Sequence, residues 1–341
     1  MTKMVPLAEA VGMVLPHDVT EIRQGEFKGR AFRKGHIIRE EDLDRLRNLG
    51  KEHIYILELG PEEIHENEAA ELLAAALVGP GVEYGNEAVE GKINLVAAHN
   101  GILRIKVEAL AQVNLQGDVM CATLHDYTPV TKGLIVAGTR LIPLVGQRSM
   151  VESTANCARQ AGGVISVSAL PSLKVGLLIT GNEVFNGRIQ DRFEPVLREK
   201  LADLGSKVIG VRFAPDDVAI IAGELGNLID EGAELLVTSG GMSVDPDDVT
   251  RQGIIEAGAT DIVYGTPVLP GAMFLIGKIS GVPILGLPAC GMFHRITVFD
   301  LLLPRVLLGE TITREEIARM GHGGLCRQCT SCRYPICDFG R

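Results

Sequence analysis

Cys326, Cys329, Cys332 and Cys337 fall within twelve consecutive residues of a 341-residue chain that holds seven cysteines, where chance would place about a quarter of one. Thiolates at three-residue intervals can wrap a cuboidal cluster, so this C-x2-C-x2-C run with a fourth cysteine beyond it fits a [4Fe–4S] cluster. Zn2+ is the alternative, although a single zinc is held more often by two C-x2-C pairs with a longer loop between them. Left free on a glycine-rich end, four thiols would be open to oxidation. Cys121, Cys157 and Cys290 stand singly in apolar stretches and are expected to pack as small hydrophobes.

Three other segments place polar groups directly after apolar runs. ITGNEVFNGRIQD offers Thr180, Gly181, Glu183 and Asp191, and GLPACGM brings Pro288. TSGGMSVDPDDVT offers Ser239, Gly240, Gly241 and Ser243, followed by the carboxylates Asp245, Asp247 and Asp248. Its glycines remove side-chain bulk and present main-chain amides to an incoming anion. The carboxylates would repel that anion unless a hard cation such as Mg2+ bridges them to phosphate oxygens. A metal-bridged phosphate uses both features; a turn leading into a helix cap is the simpler structural use of the same residues. The chain carries a net charge of −10. Charges beyond a Debye length of about 8 Å are screened, so local amide donors outweigh it.

These loops need a scaffold, and the chain from Lys174 onward supplies one. KVGLLIT, KVIGVRFA, AELLVTSGG and GVPILGL read as strands; RFEPVLREKLADLG, PDDVAIIAGELGNLIDEG and FHRITVFDLLLPRVLLG read as helices. Strands that are continuously apolar are buried on both faces, which predicts a largely parallel sheet with helices on each side. Right-handed crossovers then set all three loops along one edge, where such sheets bind ligands.

The remaining sequence predicts four regions. Residues 1–60 form an α+β element of hairpin, short helix and strand, with Leu43, Leu46 and Leu49 on the buried helix face. Lys28, Arg30, Arg33 and Lys34 mark a solvated hairpin face or an anion contact. Residues 61–150 form a helix from Pro61 to Gly79 and a small antiparallel β unit built from INLVAA, ILRIKVEAL, VMCATL and LIVAGTRLIPL. His99, His125 and Asp126 lack metal-ligand spacing there and read as surface or turn residues. Residues 171–310 carry the α/β domain and 311–341 the cysteine-rich tail.

Composition narrows the function. With 46% hydrophobic and 22% charged residues the chain is globular, and no apolar run approaches the 18 residues of a membrane span. A net charge of −10 repels nucleic acid and gives no affinity for an anionic membrane. The opening MTKMVPLAEAVGMVL does not read as a signal peptide, so a cytoplasmic location is expected.

The stretch from Lys174 to Gly309 resembles the MoaB/Mog-type molybdopterin-binding domain, found in molybdopterin adenylyltransferases and molybdopterin molybdotransferases. TGNEV at 180–184 is similar to that family's TGDE(L/V), TSGGMSVDPDDVT to its (S/T)GG loop with a following Asp, and GLPACGM to its GLPGNP. The resemblance implies a three-layer α/β/α domain with a cleft for pterin and phosphate. It puts Asp248 at the acidic position after the glycine pair and Asp191 before the first helix of the cleft. It also implies molybdopterin, or its adenylylated form, as ligand or substrate, Mg2+ as cofactor and a homodimer or trimer. Three departures stand out. Asn182 replaces the acid of TGDE, Leu269 and Ala272 replace both lysines of (M/L)KPGKP, and Ala289, Cys290 and Gly291 replace GNP. The family's SAMDGYA stretch is absent. A molybdopterin-binding protein of molybdenum cofactor biosynthesis, inserting molybdate with Mg2+, is the reading the motifs imply. The missing lysines favour a non-catalytic carrier or redox-responsive regulator that docks on a molybdoenzyme. The same domain type also serves nucleotide pyrophosphate hydrolysis in competence-damage-protein-like enzymes.

Overall fold

The computed structural model describes residues 2–23, 27–57, 59–85, 87–243, 245–246 and 248–340, so Asp247 lies outside the described residues. The chain divides into two compact units, Met1–Val167 and Ser168–Arg341.

In the first unit, strands Thr2–Pro6 and His53–Leu57 pair antiparallel, and Val19–Arg23 and Phe27–Phe32 form a hairpin. The helix Leu43–Asn48 buries Leu46 completely and leaves Leu43 and Leu49 half-buried around the same small core. Two of the four hairpin-region cations already have partners. Arg30 pairs with Asp18 at 3.2 Å, and the Lys34 Nζ lies 3.1 Å from the His65 ring. A second core gathers around helix Glu66–Leu77 and an antiparallel sheet of Val82–Tyr84, Lys92–Ala97, Ile135–Leu141 and Val119–Thr123. Two expectations change here. The segment after Pro61 begins as a strand, Glu63–His65, and becomes helical only at Glu66, where His65 accepts from the Asn67 amide. ILRIKVEAL is strand only to Ile105; Val107–Asn114 is helix, its Val113 fully buried. A further helix, Arg148–Gln160, runs through the boundary expected at 150. Cys121 packs in this core, and burial pushes its thiol up to about 12.

The second unit is a three-layer α/β/α domain. Its strands are β1 (Lys174–Thr180), β2 (Lys207–Ala214), β3 (Leu235–Ser239), β4 (Thr260–Tyr264), β5 (Leu275–Ile279) and β6 (Val282–Leu287). They lie in the order β2-β1-β3-β6-β5-β4. Strands β2, β1, β3 and β6 are mutually parallel; β5 runs against both β6 and β4. Side chains alternate between two apolar layers. Val175, Leu177 and Ile179 face helices α1 (Phe193–Asp203) and α4 (Val298–Leu307). Leu178 and Leu236 face α2 (Val218–Asp230) and α3 (Thr250–Glu256). Burial on both faces is why KVGLLIT reads as an unbroken apolar run. Helices start where side chains cap them. Asp217 accepts from Ile220 at α2, and Thr297 and Asp300 form a capping box that starts α4 at Val298, five residues beyond the Phe293 expected.

After α4 a short helix, Arg314–Arg319, is capped by Thr313. Burial opposes ionisation of Glu316, but the Thr313 amide and hydroxyl and the Arg305 guanidinium outweigh it and hold the carboxyl at about 2, against 4.5 for the free group. A depressed folded-state value gives stability that is present above 4.5 and is lost as pH falls toward 2. Unfolding by urea at several pH values should therefore show less acid sensitivity in Glu316→Gln than in the unsubstituted chain. The carboxylate is 38% exposed, so solvent screening makes the difference modest. Identical pH profiles would remove this anchor.

Candidate functional site

Strand order reverses between β1 and β3. The chain leaves β1 for β2 on one side and leaves β3 for the edge strand β4, beyond β6 and β5, on the other, so the loops after Thr180 and Ser239 part and leave a crevice. The two strand ends are tied together. Thr180 Oγ1 donates to the Ser239 carbonyl at 3.0 Å and shares a hydrogen bond with Thr250 Oγ1 at 2.7 Å. Gly240 follows with φ +91°, and a Cβ there would stand 2.3 Å from the Thr180 carbonyl oxygen. Gly241 has φ +55°, and its Cβ would meet Thr250 Oγ1 at 2.2 Å. Only glycine fits this closely crossed, left-handed corner. The rest of the loop is held by three contacts. The Tyr264 hydroxyl donates to the Met242 carbonyl at 2.8 Å, the Ser243 amide donates to Asp248 Oδ2 at 2.8 Å, and the Asp248 amide donates to the Asp245 carbonyl at 3.0 Å.

A cavity of about 620 Å3 opens at this corner. Thr180, Glu183 and Asp191 line it from the loop after β1, and Gly240, Gly241, Ser243 and Asp248 from the loop after β3. Pro288, after β6, closes the set. Asp191 lines the cavity while its two carboxylate oxygens accept from the Phe193 and Glu194 amides, each at 2.9 Å, which anchors the start of α1.

Three residues expected in the site lie elsewhere. Ser239 is fully buried as the last residue of β3, paired in the ladder with Ile179 and Leu287, so its amide is not offered to a ligand. The Gly181 amide donates to the Ala214 carbonyl at 3.2 Å, and the residue does not line the cavity. Asp245 is exposed outside it. The run of bare amides is shorter than the sequence suggests. Gly240 N–H points to the Leu287 carbonyl at a long 3.4 Å, and Gly241 N–H has no acceptor among the described residues. The departure at Asn182 leaves the cavity untouched. Its amide donates to Asp216 Oδ2 at 2.9 Å, and its Oδ1 accepts from the Asp216 amide at 3.3 Å.

Other lining residues carry no spacing signal because they meet only in the fold. Arg192 and His294 bring basic groups, Ile189 and Met273 apolar surface, and Gln328 reaches in from the tail. Leu269 and Ala272, which replace the lysines, both line the cavity and are exposed. Cys290 is not a core residue as expected; it is half-buried and lines the same wall. Burial pushes its thiol up, which keeps it neutral and adds no negative charge facing an anion.

In the tail, Cys326 and Cys337 are half-buried and Cys329 and Cys332 exposed, all as free thiols. All four line a second cavity of about 730 Å3. Among the described residues, no three or more His, Cys, Asp or Glu side chains are gathered closely enough to hold a metal ion, so the thiols stand apart. No described helix is long and apolar enough to cross a membrane.

Residues 176–308 match the family model described as "Probable molybdopterin binding domain". That segment belongs to the MoaB/Mog-type molybdopterin-binding domain family. Residues 4–58 match another model, described as "Domain of unknown function (DUF8806)". The chain is 39% identical to the CinA-like protein of Mycobacterium sp. (strain JLS) over 95 residues, 28% of this chain and 23% of that protein. Against the CinA-like protein of Mycobacterium tuberculosis (strain H37Rv) it is 38% identical over 79 residues, 23% of this chain and 18% of the relative. The chain thus spans less than a quarter of these curated relatives. The molybdopterin-binding domain also resembles the molybdopterin biosynthesis enzyme MoaB from Thermus thermophilus. There, 26% of residues are identical at a TM-score of 0.36, covering 40% of this chain and 94% of that one. The molybdopterin biosynthesis MoeA protein from Pyrococcus horikoshii covers 72% of this chain and 79% of its own, at 18% identity and a TM-score of 0.35.

Proposed function

We propose that the α/β domain binds molybdopterin, or its adenylylated form, in the cavity at the ends of β1, β3 and β6, and that the protein serves molybdenum cofactor biosynthesis or delivery. The observation that carries this reading is the convergence of Thr180, Glu183, Asp191, Gly240, Gly241, Ser243, Asp248 and Pro288 on one cavity at the point of strand-order reversal. The phosphate sits at the Gly240–Gly241 corner, where the Gly241 amide and the Ser243 hydroxyl donate to it. Arg192 lies on the same lining and supplies positive potential that offsets the acidic loops, and the His294 ring lies there with it. Ile189 and Met273 cover the flat pterin ring.

Mg2+ fits this lining through Asp248. The metal needs only one or two carboxylates when phosphate oxygens complete its shell, and one Asp248 oxygen is already oriented by the Ser243 amide. Bound there, it would neutralise charge between carboxylate and phosphate. Asp245, outside the lining, is not needed.

Leu269 and Ala272 favour binding and hand-over of the pterin over molybdate insertion, because the two side chains expected to hold the anion cannot. A molybdoenzyme is the partner that such a carrier would serve. Asp248→Asn should weaken Mg2+-dependent molybdopterin binding by about tenfold, the worth of a charge-assisted contact of roughly 1.5 kcal/mol. Unchanged affinity would remove Asp248 from the site. Turnover of ADP-ribose without pterin binding would replace this reading by nucleotide pyrophosphate hydrolysis.

A further inference from the structure

We propose that Cys326, Cys329, Cys332 and Cys337 together hold a thiolate-bound metal centre, either a [4Fe–4S] cluster or Zn2+, in the loop that walls the ligand cavity. The loop's two ends are fixed without any metal. The Cys326 amide donates to the Leu269 carbonyl at 2.8 Å, the Gly340 amide donates to the Gly323 carbonyl at 3.0 Å, and Phe339 is buried against the core beneath. Between these anchors the chain forms no helix or strand, and Ile336 is 85% exposed, so the loop has no core of its own. A segment with so little buried apolar surface between its anchors gains stability from a cross-link or a metal. No cysteine in it is disulfide-bonded, and although the four thiols stand apart, all of them line one cavity. Cys329 and Cys332, the two exposed members, sit in irregular backbone between the anchored Cys326 and Cys337, so gathering the four sulfurs around an ion asks most of that stretch.

Two details suit sulfur ligands of a metal. The Gln328 amide donates to Cys326 Sγ at 3.4 Å, and Gln328 holds the left-handed φ of +51° as it does so. Amide hydrogen bonds to sulfur stabilise metal-bound thiolate, and a non-glycine residue in this region carries strain that the surrounding structure must justify. Arg295, Arg327 and Arg333 line the same cavity as the four sulfurs, in a chain whose net charge is −10. Asp338, on the same lining, pairs with Arg327 at 3.1 Å. Four thiolates exceed the charge of Zn2+ or of the cluster core, and these guanidinium groups offset the remainder. His294, Leu325 and Gln328 line both cavities, which places the centre directly beside the ligand site.

The full chain, purified anaerobically, should contain about four irons and four acid-labile sulfides, or about one zinc, per molecule; the ratio of iron to zinc distinguishes the two. Cys329 is exposed, so Cys329→Ser leaves the core intact and should remove most of the metal, whereas Cys157→Ser should retain it. The proposal is overturned if Cys329→Ser keeps wild-type metal content. It is also overturned if the unsubstituted chain stays metal-free after exposure to Zn2+ and, separately, to Fe2+ with sulfide, or if the four cysteines are recovered as two disulfides. Metal content is read without pterin present, so failure of pterin binding leaves this result standing, and the reverse also holds.

Discussion

Gly240→Ala should lower the midpoint of thermal unfolding by about 5–10 °C and abolish ligand binding. A left-handed backbone at a non-glycine residue costs about 1–3 kcal/mol. Here the added methyl would also stand 2.3 Å from the Thr180 carbonyl oxygen, a main-chain atom at the end of interior strand β1, so the corner has to open. One kcal/mol corresponds to roughly 2–4 °C for a domain of this size. Calorimetry of Gly223→Ala gives the contrast. Gly223 lies on the exposed face of helix α2, where a Cβ meets nothing within 4 Å, and alanine there should stabilise by about 0.5–1 kcal/mol through helix propensity. If both variants unfold at the same temperature, the Gly240 corner is not the tightly crossed structure described.

Restoring the missing cations should produce the second large effect. Leu269→Lys with Ala272→Lys places two ammonium groups on the cavity lining. Charge-assisted hydrogen bonds contribute about 1.5–3 kcal/mol each, and both positions are exposed, which argues for the lower end. Affinity for molybdate in the presence of molybdopterin should rise by about tenfold or more, measured by equilibrium dialysis. A change within twofold of the unsubstituted chain would mean that Leu269 and Ala272 do not face the anion. The Leu269 amide and carbonyl both bond to the tail, at Gly324 and Cys326, but these main-chain bonds survive the substitution.

The α/β domain was legible because burial on both faces leaves no alternation in KVGLLIT or AELLVTSGG. Residues that line the cavity were readable where one loop carries them, as with Gly240, Gly241, Ser243 and Asp248, although Asp245 of the same loop lies outside the lining. Ser239 was misplaced because an apolar run does not reveal where its ladder ends; pairing with Ile179 and Leu287 carries β3 two residues past Val237, into the TSGG segment. His294 and Gln328 were invisible as site residues, since each reaches the cavity from an element separated in sequence from the glycine corner and only tertiary packing joins them. Local propensity misled in the first unit. The apolar spacing of ILRIKVEAL suits a strand, but beyond Ile105 the chain turns into a helix that buries Val113.

Calorimetric titration of molybdopterin into the full chain under anaerobic conditions, with Mg2+ present, addresses the glycine corner and its cavity most directly. A phosphate seat there predicts saturable binding of about one pterin per chain, weakened by millimolar inorganic phosphate and lost in Gly240→Ala. Absence of saturable binding by folded, unsubstituted protein would contradict the assignment of the cavity to a phosphorylated pterin.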